Sequence, residues 1–590
     1  VGKKNRNKQI KNVAAAAPAP KPLSFKAHLT AFILIGLVGF GVYANSFRNE
    51  FIWDDDVIIP PNEYIREFNI GKIFTTDVHH FSYQPSNFYR PLQMLSYAIN
   101  YKIGKLDTFG YHIVNTLVHM FNAALIYLII LLMNDELSLT ARKKWFWVAL
   151  SGSLVWLVHP IHTQNTTYIS GRADVLVAFF ILSSFYAYAK FKKPLITSLL
   201  FIGALLSKES AIITPLLFIL YNIIVRRERS CLAGRRARPL STILRSYGSF
   251  FAILGVYAVL RLTVFNFPTA FTAEEIPGII PRLLTGSRAL FTILGVLAVP
   301  VNLSMLRNIP WEFSLLNAGV ILSVIGIGCL IAGIFLMKRR EPLVSFCLSW
   351  FFVTYLPVAN IIPMNANMSE HWMYLPSIGI ILLVVYLAWK YLLRQKEVYL
   401  IILSAILVAA YGFLLVQRNK DFKDQIVFFE KILKQFPTHA RSHYNLGTAY
   451  GLKGENEKAK YHFQESLKSD PQFAPGYANL GLIYARENDL GKAIELYEKA
   501  NALQDNLVEN YANLGIAYAR QGNAPKALEA FRKTLELNPN HPAALNGIGI
   551  EHAKKGEWDE AEKYFNKVLQ MYPNHPDATN NLKRLETLKK

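Results

Sequence analysis

Cysteine is almost missing from this chain, which has three in 590 residues: Cys231, Cys329 and Cys347. Cys231 falls in a basic loop between apolar runs and the other two fall in or near such runs, so no disulfide framework is available to hold a fold together. Acid is missing from residues 1 to 26, which carry seven Lys or Arg. No small-residue cleavage site follows the first apolar run, about Leu29 to Tyr43, which therefore reads as a retained signal anchor. Neither cysteine nor an HExxH pattern accompanies His159 and His162, so a zinc site is not expected there.

Apolar residues dominate instead. They make up 52% of the chain, with 38 Phe and a positive mean hydropathy, which places most of it in a bilayer. Apolar runs recur from residue 27 to residue 416, and clusters of Lys and Arg separate them at Arg142 to Lys144, Lys190 to Lys193, Arg226 to Arg238, Lys338 to Arg340 and Lys390 to Lys396. Short basic loops mark the cytoplasmic side, so the net charge of +22 reflects topology and not nucleic-acid binding. Twelve runs would put two of these clusters outside. If the run at 286 to 304, broken by Pro300 and polar at Arg288 and Arg307, is re-entrant or interfacial, every basic loop returns to the cytoplasm, leaving about eleven spans. The expected division is a basic cytoplasmic tail at 1–26, with an Ala-Pro linker at 14–22, a membrane domain at 27–417 and an extracytoplasmic domain at 418–590. Residues 46–110, 159–172, 266–314 and 358–374 then lie outside with the last domain.

That last domain is periodic. Asn-Leu-Gly-x-x-Tyr recurs at 445–450, 479–484 and 513–518, a strict 34-residue spacing. Ala459, Ala493, Ala527 and Ala561 recur with it, as do Phe463, Tyr497, Phe531 and Phe565 and the loop residues Gly454, Asn488, Gly522 and Gly556. This is the tetratricopeptide pattern of stacked helix pairs. Pro437, Pro471, Pro539 and Pro573 mark helix ends, because proline lacks the donor that would continue a helix. The fourth unit is degenerate, and residues 574–589 read as a polar capping helix. The expected fold class is all-α, a polytopic helix bundle followed by a soluble α-solenoid. Asn445, Asn479 and Asn513 are placed to bond an extended peptide in the solenoid groove, or equally to satisfy groups between repeats.

The expected outer loops carry the chemistry. Asp54, Asp55 and Asp56 follow the first apolar run in apolar flanks, and crowded, shielded carboxylates have raised and separated proton affinities that suit taking a proton from a hydroxyl. An acidic turn capping a short helix is the plainer reading of the trio alone. Four further motifs place a cation or imidazole at the same face: Asn87 to Leu92, His159 to Asp174, Ser207-Lys208-Glu209 and Glu370 to Pro376. Arg90, Arg172, Lys208 and His371 could hold a phosphate or pyrophosphate through charge-assisted hydrogen bonds. Structural pairs, Lys208 with Glu209 and Arg172 with Asp174, are the alternative for each taken singly. A hard divalent cation such as Mg or Mn on Asp54 to Asp56 stays open.

In order along the chain, Trp53-Asp54-Asp55, Tyr89-Arg90-Pro91-Leu92, Gly110 to Asn115, His159-Pro160-Ile161-His162-Thr163, Gly171-Arg172-Ala173-Asp174, Leu206 to Glu209 and Tyr374-Leu375-Pro376-Ser377 resemble the transmembrane and tetratricopeptide-repeat O-mannosyltransferases of the GT-C superfamily. Gln164, Trp372 and the small number of repeats depart from the usual pattern, and the last departure suggests a prokaryotic relative. The resemblance implies transfer of a sugar, mannose among the candidates, from a polyprenyl-phosphate donor in the membrane lipid to Ser or Thr of an extracytoplasmic protein, with inversion. Asp54 or Asp55 would be the base, Arg90, Arg172, Lys208 and His371 would hold the phosphate, and Asp56, His159, His162, Asp174, Glu209, Glu370 and Tyr374 would support them. The repeat groove would bind the acceptor polypeptide. Two other readings remain open: a non-catalytic platform recruiting envelope proteins, and a carrier of lipid-linked sugars. A carrier would place its ionisable groups mid-span, whereas most here collect at the expected outer ends.

Overall fold

The computed structural model describes residues 23–81, 86–226, 240–267, 277–307, 309–362, 364 and 366–589. Most of the basic tail, the cluster from 227 to 238 and Cys231 lie outside the described residues. Every regular element among the described residues is helical, and the chain divides into two compact units, 1–424 and 425–590.

In the first unit six helices are long and apolar enough to cross a membrane: Phe25–Ser46, Thr108–Leu137, Ile169–Phe191, Ile279–Ala298, Ala318–Arg340 and Glu397–Phe422. Five shorter apolar helices accompany them, Pro194–Leu205, Glu209–Val225, Tyr247–Thr263, Pro342–Val358 and Pro376–Leu392. A crossing needs roughly 20 apolar residues, so helix length supports six spans and does not reach the expected eleven. The run expected to be re-entrant lies partly in Ile279–Ala298, which meets the same length and hydropathy criteria as the other five before the helix stops short of Pro300. Trp145, Trp156 and Trp389 are fully buried among these helices. The indole N–H groups of Trp145 and Trp156 donate to Ile130 O and Ser377 Oγ, so both rings fill the core without stranding a donor.

The second unit is the expected solenoid. Its helices end at Gln435, Ser469, Leu537 and Met571, two residues before Pro437, Pro471, Pro539 and Pro573. Gly454, Gly522 and Gly556 adopt φ of 78°, 85° and 78°, with Asn488 at 66°, because the turn between paired helices needs the left-handed region. A Cβ on Gly447, Gly481, Gly515 or Gly549 would stand 2.6 to 2.9 Å from the ring of Phe463, Tyr497, Phe531 or Phe565. The repeated glycine is thus the seat of the repeated aromatic. The capping helix spans Pro576–Lys589.

Candidate active site

The three aspartates occupy the first turn of a short helix, Asp54–Ile58, where free backbone N–H groups favour acidic side chains. Trp53 enters that helix at φ 49°, a left-handed conformation that costs a side-chain-bearing residue roughly 1–3 kcal/mol and persists only when its surroundings hold it. The hold is visible at Asp55. Its Oδ2 accepts from Ile52 N–H at 3.4 Å, and its Oδ1 accepts from Ser170 N–H at 2.7 Å and from the Ser170 hydroxyl. Asp55 is 1% exposed, and burial pushes its carboxyl up to about 8 against the pull of the Ser170 bonds. Asp56 is half-buried and rises to about 6, first through burial and then through the charge of Glu50. Asp54 is also half-buried, and its N–H donates to the Tyr168 hydroxyl at 3.1 Å. Burial and the charges of Asp54 and Asp55 raise the proton affinity of that phenol.

The cations gather from three separate segments. Arg90 lies over the Phe88 ring at 4.5 Å, and its Nε is buried without a hydrogen-bond partner. The nearest carboxylate oxygen, Glu209 Oε2, is 3.6 Å from that Nε, while Glu209 Oε1 accepts from Tyr89 N–H at 3.0 Å. Lys208 Nζ pairs with Asp174 Oδ1 at 2.5 Å. The two structural pairs suggested by sequence adjacency are therefore replaced by Arg90 with Glu209 and Lys208 with Asp174. Lys208 is fully extended, φ −162° and ψ 144°, so its side chain and that of Glu209 diverge. Burial lowers His371 to about 4, with Lys208 and Arg90 pushing the same way against Asp174, so its imidazole is neutral. Ser369 Oγ and Gln164 Nε2 meet His371 Nδ1 at 2.6 and 3.0 Å. With Nδ1 accepting from the Gln164 amide, the ring proton is left on Nε2.

His79 was not among the residues expected from sequence. Burial lowers its proton affinity, Asp54 and Asp77 raise it and Arg90 lowers it, so it stands within electrostatic reach of both the aspartates and the arginine. Its Nδ1 meets Ser86 Oγ at 2.7 Å, and its N–H donates to Asp77 Oδ1 at 2.9 Å. The available signal was Asp77-Val78-His79, an acid two residues before an imidazole in the same loop as the aspartates. Ser170 and Tyr168 were missed too, being ordinary polar residues until the fold sets them against Asp55 and Asp54.

Several expected residues are held elsewhere. Arg172 is 0% exposed and donates to Asn115 Oδ1, Ser96 Oγ, Asn100 Oδ1 and Tyr111 O, all neutral, at 2.6 to 3.1 Å, with its guanidinium 4.6 Å from the Tyr97 ring centre. A phosphate would have to strip these partners away, so Arg172 braces the fold and is not brought to the other cations. His159 joins Leu297 O and Ile161 N–H, and His162 joins Trp156 O and Ser377 Oγ, which engages both nitrogens of each ring. The Tyr374 hydroxyl lies between His119 Nδ1 at 2.6 Å and Asn122 Nδ2 at 3.1 Å. Glu370 accepts from Ser304 N–H and Arg307 Nε and ties down the loop after Ile279–Ala298. In the repeats, Asn479 Nδ2 reaches Tyr444 Oη at 3.1 Å and Thr448 Oγ1 at 3.2 Å, an inter-repeat bond, while Asn445 and Asn513 are half-buried. Among the described residues, no group of three or more His, Cys, Asp or Glu is arranged to hold a metal ion.

Family profiles for the tetratricopeptide repeat match residues 428–461, 474–506 and 513–576. Protein O-mannosyl-transferase F38B6.6 of Caenorhabditis elegans is 25% identical over 437 residues, 71% of this chain and 60% of that protein. Protein O-mannosyl-transferase TMTC4 of Mus musculus is 25% identical over 489 residues, 73% of this chain and 66% of that protein. The chain is homologous to the tetratricopeptide-repeat protein O-mannosyl-transferases. It spans less than two thirds of the length of these relatives. The crystal structure of MamA is 31% identical, covering 24% of this O-mannosyl-transferase homologue and 83% of MamA, with a TM-score of 0.23.

Proposed function

We propose that the protein is a membrane glycosyltransferase that moves a hexose, mannose by homology, from a polyprenyl-phosphate donor to Ser or Thr hydroxyls of proteins outside the cytoplasm. One observation carries this reading. A half-buried carboxylate, Asp54, and a half-buried arginine with an unpartnered Nε, Arg90, both lie within electrostatic reach of His79, and Arg90 and Lys208 lie within the same reach of a neutral histidine, His371. Asp54 takes the acceptor hydroxyl proton as that oxygen bonds to the anomeric carbon, and the carbon–phosphate oxygen bond breaks on the opposite face, inverting the centre. The departing phosphate needs charge stabilisation more than a proton, which Arg90, Lys208 and the Nε2–H of His371 supply. Asp55, raised by burial and held by Ser170, fixes the short helix that presents Asp54. Asp56 sits on that helix and orients its neighbours. A preformed array of this kind acts through positioning, since little reorganisation is needed as charge develops.

The repeat unit is proposed to bind the acceptor polypeptide, raising its effective concentration, with Asn445 and Asn513 as groove contacts and Asn479 committed to the stack. Incubating the purified full-length protein with radiolabelled polyprenyl-phosphate sugars and an envelope or luminal extract tests the whole reading. Label should appear on protein with wild type and fall about 100-fold or more with D54N. Label that does not depend on Asp54, or no label with any donor, would sink it.

A further inference from the structure

Asn419 is the last α-helical residue of the final apolar segment, Glu397–Phe422, before its closing turn Lys420–Phe422, and is fully buried. Its side chain bonds in three directions. Nδ2 donates to Val42 O at 2.9 Å and to Asn45 Oδ1 at 2.8 Å, at the end of the first apolar helix. Oδ1 accepts from the Thr167 hydroxyl at 2.7 Å. Its backbone carbonyl accepts from Asn49 Nδ2 at 3.1 Å, and Lys423 O accepts from Glu50 N–H at 2.9 Å. None of the side-chain bonds goes to a carbonyl left free at the end of its own helix, so the side chain is not a cap.

The two strands of chain that Asn419 joins are those that build the aspartate site. From Asn45, Asn49 and Glu50 the chain runs directly into Trp53 and the Asp54–Ile58 helix. From Thr167 it runs into Tyr168, whose hydroxyl accepts from Asp54 N–H, and Ser170, which donates twice to Asp55. Burial raises the proton affinity of Glu370, on the segment that carries His371, and the charge of the neighbouring Arg418 works against that rise. Each segment is built of single short turns, Ala44–Ser46 and Asp54–Ile58 in one and Thr163–Thr166 and Ile169–Gly171 in the other, too short to fix their own positions, so the register of one against the other rests on cross-links of this kind.

We infer that Asn419 is a positioning residue that holds the carboxylate loop and the Tyr168–Ser170 loop in register, so that the segment from which the chain enters the repeat unit sets the geometry of the aspartate helix. The inference rests on the transferase reading for its kinetic consequence, and on hydrogen bonding alone for its structural one. The two are therefore separable by experiment.

The test uses full-length protein in proteoliposomes with the variants N419L, which removes every side-chain bond, and T167V, which cuts only the link to the second loop. Lys420→Ala, on an exposed neighbour, is the control. Hydrogen–deuterium exchange at Ile52, Asp54 and Ser170, whose amides bond across or within the two loops, should quicken about tenfold in N419L, while exchange within 376–387 stays as in wild type. In T167V, Asp54 and Ser170 should quicken and Ile52 should not. In the transfer assay both variants should lower kcat about tenfold with the donor KM unchanged, and Lys420→Ala should alter neither. Exchange that quickens only within 416–423, or a changed KM at constant kcat, overturns the inference. If N419L does not fold, T167V decides it. If wild type transfers no sugar, the proposed function fails while the exchange result still judges Asn419.

Discussion

Asp55 and Asp54 are adjacent yet differently provided for, and this difference yields the sharpest tests at the level of single side chains. Asp55 binds its proton more tightly in the folded chain than the ordinary carboxylate value of 3.8, reaching about 8. The stability linked to it is therefore fully present below about pH 4 and is lost as pH rises through about 8. D55N removes the titration, so its melting temperature relative to wild type should climb between those limits, and the alkaline limb of kcat near pH 8 should flatten. A difference in melting temperature that stays constant with pH would show that Asp55 is not titrating there. Arg90 and Arg172 should also separate. R172L strands buried acceptors and should cost about 3 kcal/mol or more in stability, read by thermal or denaturant unfolding. R90A should cost at most about 1 kcal/mol in unfolding and raise the donor KM by about tenfold, because Arg90 has an unpartnered Nε, a long contact to Glu209 and a face-on contact to the Phe88 ring.

Among the elements, the repeats were legible to the residue and the membrane helices were not. The 34-residue spacing marks which residues are equivalent, and equivalent residues meet equivalent surroundings, so Ala459, Ala493, Ala527 and Ala561 all come out fully buried. G515A is a direct test of this packing. Its new methyl would stand 2.6 Å from the Phe531 ring, and overpacking of this kind costs about 1–3 kcal/mol, seen as a lowered melting transition in the full chain. The same substitution at Gly295, with nothing within 4 Å, should have little effect on unfolding. Apolar runs in the first unit gave helices in nearly the expected places but not the number of crossings. Hydropathy registers composition, and a run of 12 residues such as Pro194–Leu205 satisfies it without fixing how deep that helix sits.

At the scale of the molecule, the basic clusters make a topological prediction that helix length does not settle. Single cysteines placed at the exposed positions Glu63, Asn302 and Lys555 should be labelled from outside by a membrane-impermeant reagent, and one at Arg340 only after the membrane is opened, as the positive-inside bias requires. Lys555 labelling from the same side as Arg340 would separate the repeat unit from the aspartates and end the transferase reading. Sequence alone determined the helical class, the solenoid with its turns and cap, the membrane character of the first unit, and the loops in which the ionisable residues collect. Those features follow from spacing and composition, which are local and repeat along the chain. Only the tertiary structure decided the partners: Lys208 with Asp174, Arg172 with four neutral acceptors, His79 with Ser86, and Asn419 between two loops. Pairing depends on side-chain direction and on contacts between segments far apart in the chain, and a buried charge settles on whichever partner the packing brings within reach of a hydrogen bond.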